Sequence, residues 1–349
     1  MSKTSTLQPT GNPRMGTRRS GPLPTQGARR RYWIVLGILI LLSVGFGWGL
    51  LAWDNPMPAG TPGFWRIAEL RGTSIVVMLI VAVCQALATV SFQSATNNRI
   101  ITPSIMGFES LYVAVQTGAV YFLGAAGVMA LQGVPQFLLQ VAVMVGLSMA
   151  LYGWLLSGKY GNLQVMLLVG IVLGAGLGAI STFMRRLLTP SDFDVLTARL
   201  FGSVANADVR YLPFAIPLVL VAGTLLWRNA RRLNVIAMGR DTAMNLGLNH
   251  RFEVMRVLFL VSLLMAVSTA LVGPMTFLGF LVATLAYQLA DSYDHRYVFP
   301  VAVLTGFVVL AGSYFIMKNI FYAQGVVSII IELIGGTVFL IFILRKGRL

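Results

Sequence analysis

Ten apolar runs divide this chain, at roughly 32–53, 74–94, 104–124, 136–156, 163–184, 209–227, 253–273, 275–290, 297–317 and 326–344. Most approach the roughly 20 residues that a helix needs to cross a bilayer. A soluble domain of 349 residues has no core large enough to hide ten such segments. The expected fold class is therefore all-α, a polytopic membrane protein of about ten transmembrane helices. The runs at 104–124 and 275–290 are short or polar-flecked, and only Gly273-Pro274 separates the seventh run from the eighth. A proline there makes a turn or a kink, so nine or eleven crossings stay open.

Hydrophobic residues make up 57% of the chain and charged residues 11%, yet 26 Lys+Arg against 11 Asp+Glu leave it at +15. So apolar a chain is neither a disordered basic protein nor a polar nucleic-acid-binding domain. The charge follows topology instead. Residues 1–31 carry Lys3, Arg14, Arg18, Arg19, Arg29, Arg30 and Arg31 and no acid, in a Gly/Pro/Ser/Thr-rich context that reads as a disordered cytoplasmic tail. The run after it is long enough to span and lacks a clean small-residue cleavage site, so it reads as a first transmembrane helix rather than a secretory signal. With ten crossings and a cytoplasmic N-terminus, 19 of the 26 basic residues fall on the cytoplasmic side and seven outside. That asymmetry supports both termini being cytoplasmic.

Ionisable groups inside the runs are scarce. Glu332 is the clear exception, and Glu109 lies near the start of the third run. Intramembrane carboxylates are costly and often functional, so an ion-coupled secondary transporter using Glu332 is the rival reading, although such a transporter usually carries several. Gly170, Gly174 and Gly178 recur every fourth residue on one face of the fifth run, a spacing that lets two helix backbones approach. Pro213 and Pro217 are expected to bend the sixth run. The two histidines, His250 and His295, read as loop residues, and the single cysteine, Cys84, excludes an intrachain disulfide. No metal-ligand cluster, phosphate loop or nucleophile–base pair is visible, so an integral-membrane enzyme has no chemistry to work with.

The most informative stretch is the loop at about 233–250. Asp241 and Thr242 can start a short helix there and Gly247 can end it. Ala243, Met244, Leu246 and Leu248 would give that helix an apolar side. A docking surface for another protein and a helix lying on the headgroups explain such a side equally well.

Leu233-Asn234 followed by Met238-Gly239-Arg240-Asp241-Thr242-Ala243-Met244-Asn245-Leu246-Gly247-Leu248 resembles the coupling-helix loop of the FecCD permeases, which belong to ABC importers of iron-siderophore complexes and cobalamin. Three more segments agree in order. Gln93 to Gly107 resembles the family's Gln-x4-Asn-Pro-Leu-Ala-x-Pro-x-x-Leu-Gly loop. Gly273 to Val282 resembles Gly-Pro-Ile-x-Phe-x-Gly-Leu-x-Val, and Gly325-Val326-Val327 with Ile334-Gly335-Gly336 and Phe339 resembles the last span. The resemblance covers about residues 32–346. Phe92-Gln93, Asn97-Asn98-Arg99, Thr102-Pro103 and Phe277 to Leu281 look closest to the branch importing catecholate-type ferric siderophores. Three positions depart from the family: Arg99 replaces the proline of Asn-Pro, Ala283-Thr284-Leu285-Ala286-Tyr287-Gln288 replaces Pro-His-x-x-Arg, and Arg71-Gly72-Thr73-Ser74 lacks the second arginine of Arg-Leu-Pro-Arg.

The resemblance implies a type II ABC importer permease in a bacterial cytoplasmic membrane. It would pair with a second permease chain, homologous or identical, two ATPase subunits and an extracytoplasmic substrate-binding protein, in contact with membrane lipid and with no nucleic acid. This chain would bind no cofactor or metal itself, since ATP and Mg belong to the ATPase. Gly239, Arg240, Asp241, Ala243, Leu246 and Gly247 would form the coupling helix that contacts it. Arg71 matches an outer basic position that docks the binding protein; Arg66 and Lys318, with Arg185 and Arg186, match by location only. Solvated loop charge is the plainer reading, with Asp192 or Asp194 as partners for Arg185 and Arg186. The pathway would run along the fifth and tenth spans and the early loop, with Asn98 and Glu332 as its marked residues.

Overall fold

The structure, a computed structural model, describes residues 21–131, 133–157, 163–204, 207–321 and 327–346. Residues 1–20 of the basic tail, Lys159, Gly325, Val326 and Arg348 lie outside the described residues.

Each expected run is a helix: α1 (Gln26–Ala52), α2 (Pro62–Ala95), α3 (Glu109–Ala130), α4 (Val134–Ser157), α5 (Leu163–Arg186), α7 (Leu212–Arg228), α10 (His250–Val272), α11 (Leu278–Ala290), α12 (His295–Asn319) and α13 (Val327–Lys346). Three short helices join them: α6 (Pro190–Leu200), α8 (Ala230–Ile236) and α9 (Arg240–Asn245). Eight helices among the described residues are long and apolar enough to cross a membrane; α11 and the Val327–Ile341 part of α13 are shorter. The 104–124 run proves long, at 27 residues with its opening turn, and 275–290 is the short one.

Several boundaries move for physical reasons. α1 begins inside the expected tail, because the Thr25 hydroxyl caps it by accepting from the Ala28 N–H at 3.1 Å. Arg29 to Arg31 are thus helical, and Arg31 pairs with Asp291 at 3.0 Å. α2 starts at Pro62 rather than 74, with Thr61 as its cap and proline at the first helical position. Its first turns carry Arg66, Glu69 and Arg71 and so escape a hydropathy reading. Pro213 stands in the first turn of α7, where it removes no intrahelical bond, while Pro217 is inside the helix.

α2 and α10 form the centre of the bundle. In their most apolar stretches 78% and 72% of the residues are buried, against 11% in α1. α2 packs on α10, α12, α11 and α7, and α1 lies outside against α12. A helix apolar on every side is suited to such a central position. α1 presents Trp33, Leu41, Val44 and Trp48 outward, as a lipid-facing helix must.

Two helices begin inside the bundle. Before α3, residues 104–108 form a π turn in which Gly107 has φ +94°. A Cβ on Gly107 would stand 3.0 Å from both Gly170 O and Gly174 Cα. The glycine stripe of α5 therefore receives this turn, although nothing lies within 4 Å of a Cβ on Gly178. At 1.5 Å per residue, Gly170 and Gly174 are about 10–17 Å along α5 from Leu163. By the same rise, Leu278 is about 18 Å along α11 from Ala290. The two helix starts meet at this depth, where the Thr276 hydroxyl donates to Glu109 Oε2 at 2.6 Å. Irregular backbone at membrane depth requires burial in protein, and Glu109 and Met275 are buried.

Candidate functional site

The 229–250 loop joins two crossings with two short helices. Asn229 ends α7, its side-chain amide donating to Leu225 O at 2.8 Å. Gly239, at φ +98°, is the N-cap of α9, which has no side-chain cap. The helix thus starts at Arg240, and Asp241 lies in its first turn rather than before it. Gly247 ends it as expected. Its φ is +81°, its N–H reaches Met244 O at 2.9 Å, and the Leu248 N–H reaches Ala243 O at 3.0 Å. This is a Schellman closure, and the left-handed turn favours glycine.

The expected single apolar side is split in two. Ala243 is fully buried against the body of the protein, while Met238, Met244 and Leu246 are exposed. The division arises because α9 is short and Leu246 already stands at its C-cap, outside the helical face that carries Ala243. The result is a small rigid knob with three protruding apolar side chains and Arg240 and Asp241 exposed beside them.

At the same end, the early loop is built on its own side chains. Gln93 Nε2 donates to Arg99 O at 2.7 Å, and Asn98 Oδ1 accepts from the Ile100 N–H at 2.9 Å. Asn97 takes a left-handed φ of +49°. Asn98 thus folds the turn with its own carbonyl oxygen. The Arg99 guanidinium lies over the Tyr287 ring, 4.5 Å from its centroid. Two of the departures from the family pattern, Arg99 and Tyr287, are therefore a cation–π pair. Spacing alone gave no sign of it, since the two residues are far apart in the chain.

His295 and His250 are not loop residues. Each is the first residue of a helix, behind the caps Asp294 and Asn249. A capping residue directly before an apolar run was the readable signal. His295 is 2% exposed.

At the opposite end, Arg71 donates to Trp53 O at 2.7 Å, Asp54 O at 2.8 Å and Leu51 O at 3.4 Å. It binds carbonyls at the C-terminal end of α1, where a cation is favoured. Arg66 is exposed on the first turns of α2, and Lys318 is half-buried at the end of α12. Arg185 turns back to Ser181 O and Thr182 Oγ1. Asp192 is not its partner: it accepts from the Thr189 hydroxyl and from the Ala125 N–H, both at 2.7 Å. These two donors hold its carboxyl below the usual range. Asp208 is likewise lowered by its bonds to Arg210. A cavity of about 270 Å³ opens between α3, α4, α6 and α10, lined by Gln116, Gln140, Arg199 and Ser203 among others.

Glu332 is exposed on α13, whereas Glu109 is buried. Among the described residues no group of three His, Cys, Asp or Glu side chains could hold a metal ion.

The family model described as the FecCD transport family matches residues 35–346. The chain is 54% identical over 320 residues to the petrobactin import system permease protein FatC of Bacillus anthracis, covering 92% of this chain and 90% of the relative. It is 31% identical over 315 residues to the petrobactin import system permease protein YclO of Bacillus subtilis, covering 90% and 95%. A solved structure of a metal-chelate type ABC transporter in an inward-facing conformation superposes with a TM-score of 0.76 at 21% identity, covering 90% of this chain and 99% of that one. That likeness speaks to the fold alone. With the family pattern matched over nearly the whole chain and a relative more than half identical, this multi-pass membrane protein belongs to the FecCD transport family.

Proposed function

We propose that this permease carries a ferric siderophore of the petrobactin kind into the cell, as the membrane subunit of an ATP-driven importer. The substrate rests on the relatives named above; the mode of drive rests on one observation of the chain itself. The 238–247 knob presents Met244 and Leu246 to solvent from a glycine-bounded helix, with Met238 exposed just before it. An apolar group of this kind on a rigid base suits docking into a protein cleft. The knob shares its end of the bundle with Arg228, Arg231, Arg232, Arg240 and Arg251, which the positive-inside rule assigns to the cytoplasm, where an ATPase subunit would stand. Both termini then lie on that side.

Two permeases would enclose the pathway, and closure of two ATPases would move them between outward- and inward-open states as rigid bodies. Glu332, exposed on α13, would then face cargo rather than carry an ion gradient, while Glu109 is buried against Thr276. Co-purification with an ATPase subunit and ATP-dependent uptake of radio-iron petrobactin in proteoliposomes test this function. The chain purified alone is expected to hydrolyse no ATP, and measurable hydrolysis would contradict the reading.

On the outer face Arg66 is the residue free to meet an acidic patch on a binding protein. Reversing it to Glu is expected to weaken docking by about two- to fivefold at low salt, in line with an exposed ion pair. Arg71→Glu would also release the carbonyls of Leu51, Trp53 and Asp54. It is expected to lower thermal stability along with docking, whereas the Arg66 variant melts normally. Unchanged affinity for the Arg66 variant at low salt rejects its role.

A further inference from the structure

A buried chain of hydrogen bonds runs from the coupling loop to the early loop. Asn234 of α8 stands at one end. Its Oδ1 accepts from the backbone N–H of His295 at 3.1 Å and meets His295 Nδ1, while its Nδ2 donates to Asp294 Oδ1 at 3.0 Å. His295 Nε2 lies 2.6 Å from Ser94 Oγ on α2, and Ser94 Oγ lies 3.3 Å from the Tyr287 hydroxyl on α11. The Tyr287 ring carries the Arg99 guanidinium, and Arg99 O is held by Gln93.

The chemistry gives this chain a direction. A backbone N–H can only donate, so the Asn234 atom facing it is the oxygen, and His295 Nδ1 must carry the proton. In the neutral ring Nε2 is then an acceptor, and the Ser94 hydroxyl is the donor that faces it at 2.6 Å. Ser94 is left to accept from Tyr287. The Ser94 hydroxyl also has Val90 O at 2.9 Å on its own helix, so it is the buried His295 ring that loses its partner if α12 slips against α2. One imidazole on α12 joins α8 to α2, and Ser94 carries the link on to α11.

We propose that His295 is a positioning residue for transport: it transmits the displacement of the coupling loop to Tyr287 and Arg99, and so to the early loop on the pathway. The proposal rests on the import reading above. α8 is continuous with α9 through three residues, so an ATPase that moves the knob moves Asn234. The link ends on the Arg99 guanidinium stacked over Tyr287.

The test uses the complete importer in proteoliposomes, with radio-iron petrobactin as cargo and ATP hydrolysis measured in the same samples. His295→Ala is expected to assemble normally and to hydrolyse ATP near the wild-type rate, while uptake falls about tenfold, within the range of coupling between linked sites. Arg99→Ala should show the same split. Asn234→Ala combined with His295→Ala should cost no more uptake than either alone, because both cut one chain. If His295→Ala does not assemble, Ser94→Ala removes the same link with a smaller change and is read in its place. Uptake and hydrolysis falling in proportion, additive effects of the pair, or normal uptake would each overturn the proposal. A wild-type complex with no ATP-driven uptake would instead overturn the import reading.

Discussion

Replacing Leu246 by Asp is expected to leave the permease folded in the membrane and to abolish ATP-driven uptake. Leu246 is 60% exposed at the C-cap of α9, so a carboxylate there meets water in the isolated chain and does not disturb the fold. In the assembled importer the same carboxylate would be pressed into an apolar cleft without a partner. An uncompensated buried charge costs about 3–5 kcal/mol. That corresponds to roughly 10²- to 10⁴-fold weaker docking of the ATPase. The expected readouts are loss of the ATPase on co-purification, lost uptake and an unchanged melting curve. Ala243 does not serve as an alternative probe. It is fully buried, so Ala243→Asp would unfold the loop and confuse lost structure with lost docking. Normal uptake with Leu246→Asp would move the coupling surface elsewhere.

The second large effect is on stability. Gly107→Val places a β-branched side chain at φ +94°, with its Cβ 3.0 Å from Gly170 O and Gly174 Cα. The neighbours are backbone and have no side-chain end to swing away. Backbone strain of about 1–3 kcal/mol adds to overpacking of about 1–3 kcal/mol. The total, about 2–6 kcal/mol, is a large share of the stability of any single protein domain. Thermal unfolding in detergent should report it as a much lower midpoint. Gly178→Ala is the matched control, since nothing lies within 4 Å of its added Cβ. A melting curve for Gly107→Val that matches the control would mean that the π turn does not pack on the α5 stripe.

The glycine stripe shows where sequence reading succeeds and stops. The four-residue spacing of Gly170, Gly174 and Gly178 marked a close approach, and two of the three make one. Their partner is the π turn at Gly107, not a regular helix, and no hydropathy pattern announces such a turn. The 229–250 loop follows the same rule. Gly247 was readable as the stop of α9 because a left-handed C-cap is a local requirement. The split of the apolar residues into buried Ala243 and exposed Leu246 depends on what α9 rests against. Arg71 looked like a free outer cation, yet it holds three carbonyls of the α1–α2 connection.

By itself the sequence determined a helical, multi-pass membrane fold of about ten long apolar runs, the lopsided basic charge and the family. Those properties are local. A membrane helix satisfies its backbone within its own segment, so an apolar run of sufficient length needs no partner to declare itself. Only the tertiary structure decided which helices are central, that α3 and α11 start at depth around Glu109 and Thr276, and that His295 joins Asn234 to Ser94. Lipid and protein interior are equally apolar, so hydropathy carries no record of which face meets which. The polar links between helices lie tens to hundreds of residues apart in the chain and become visible only when the bundle closes.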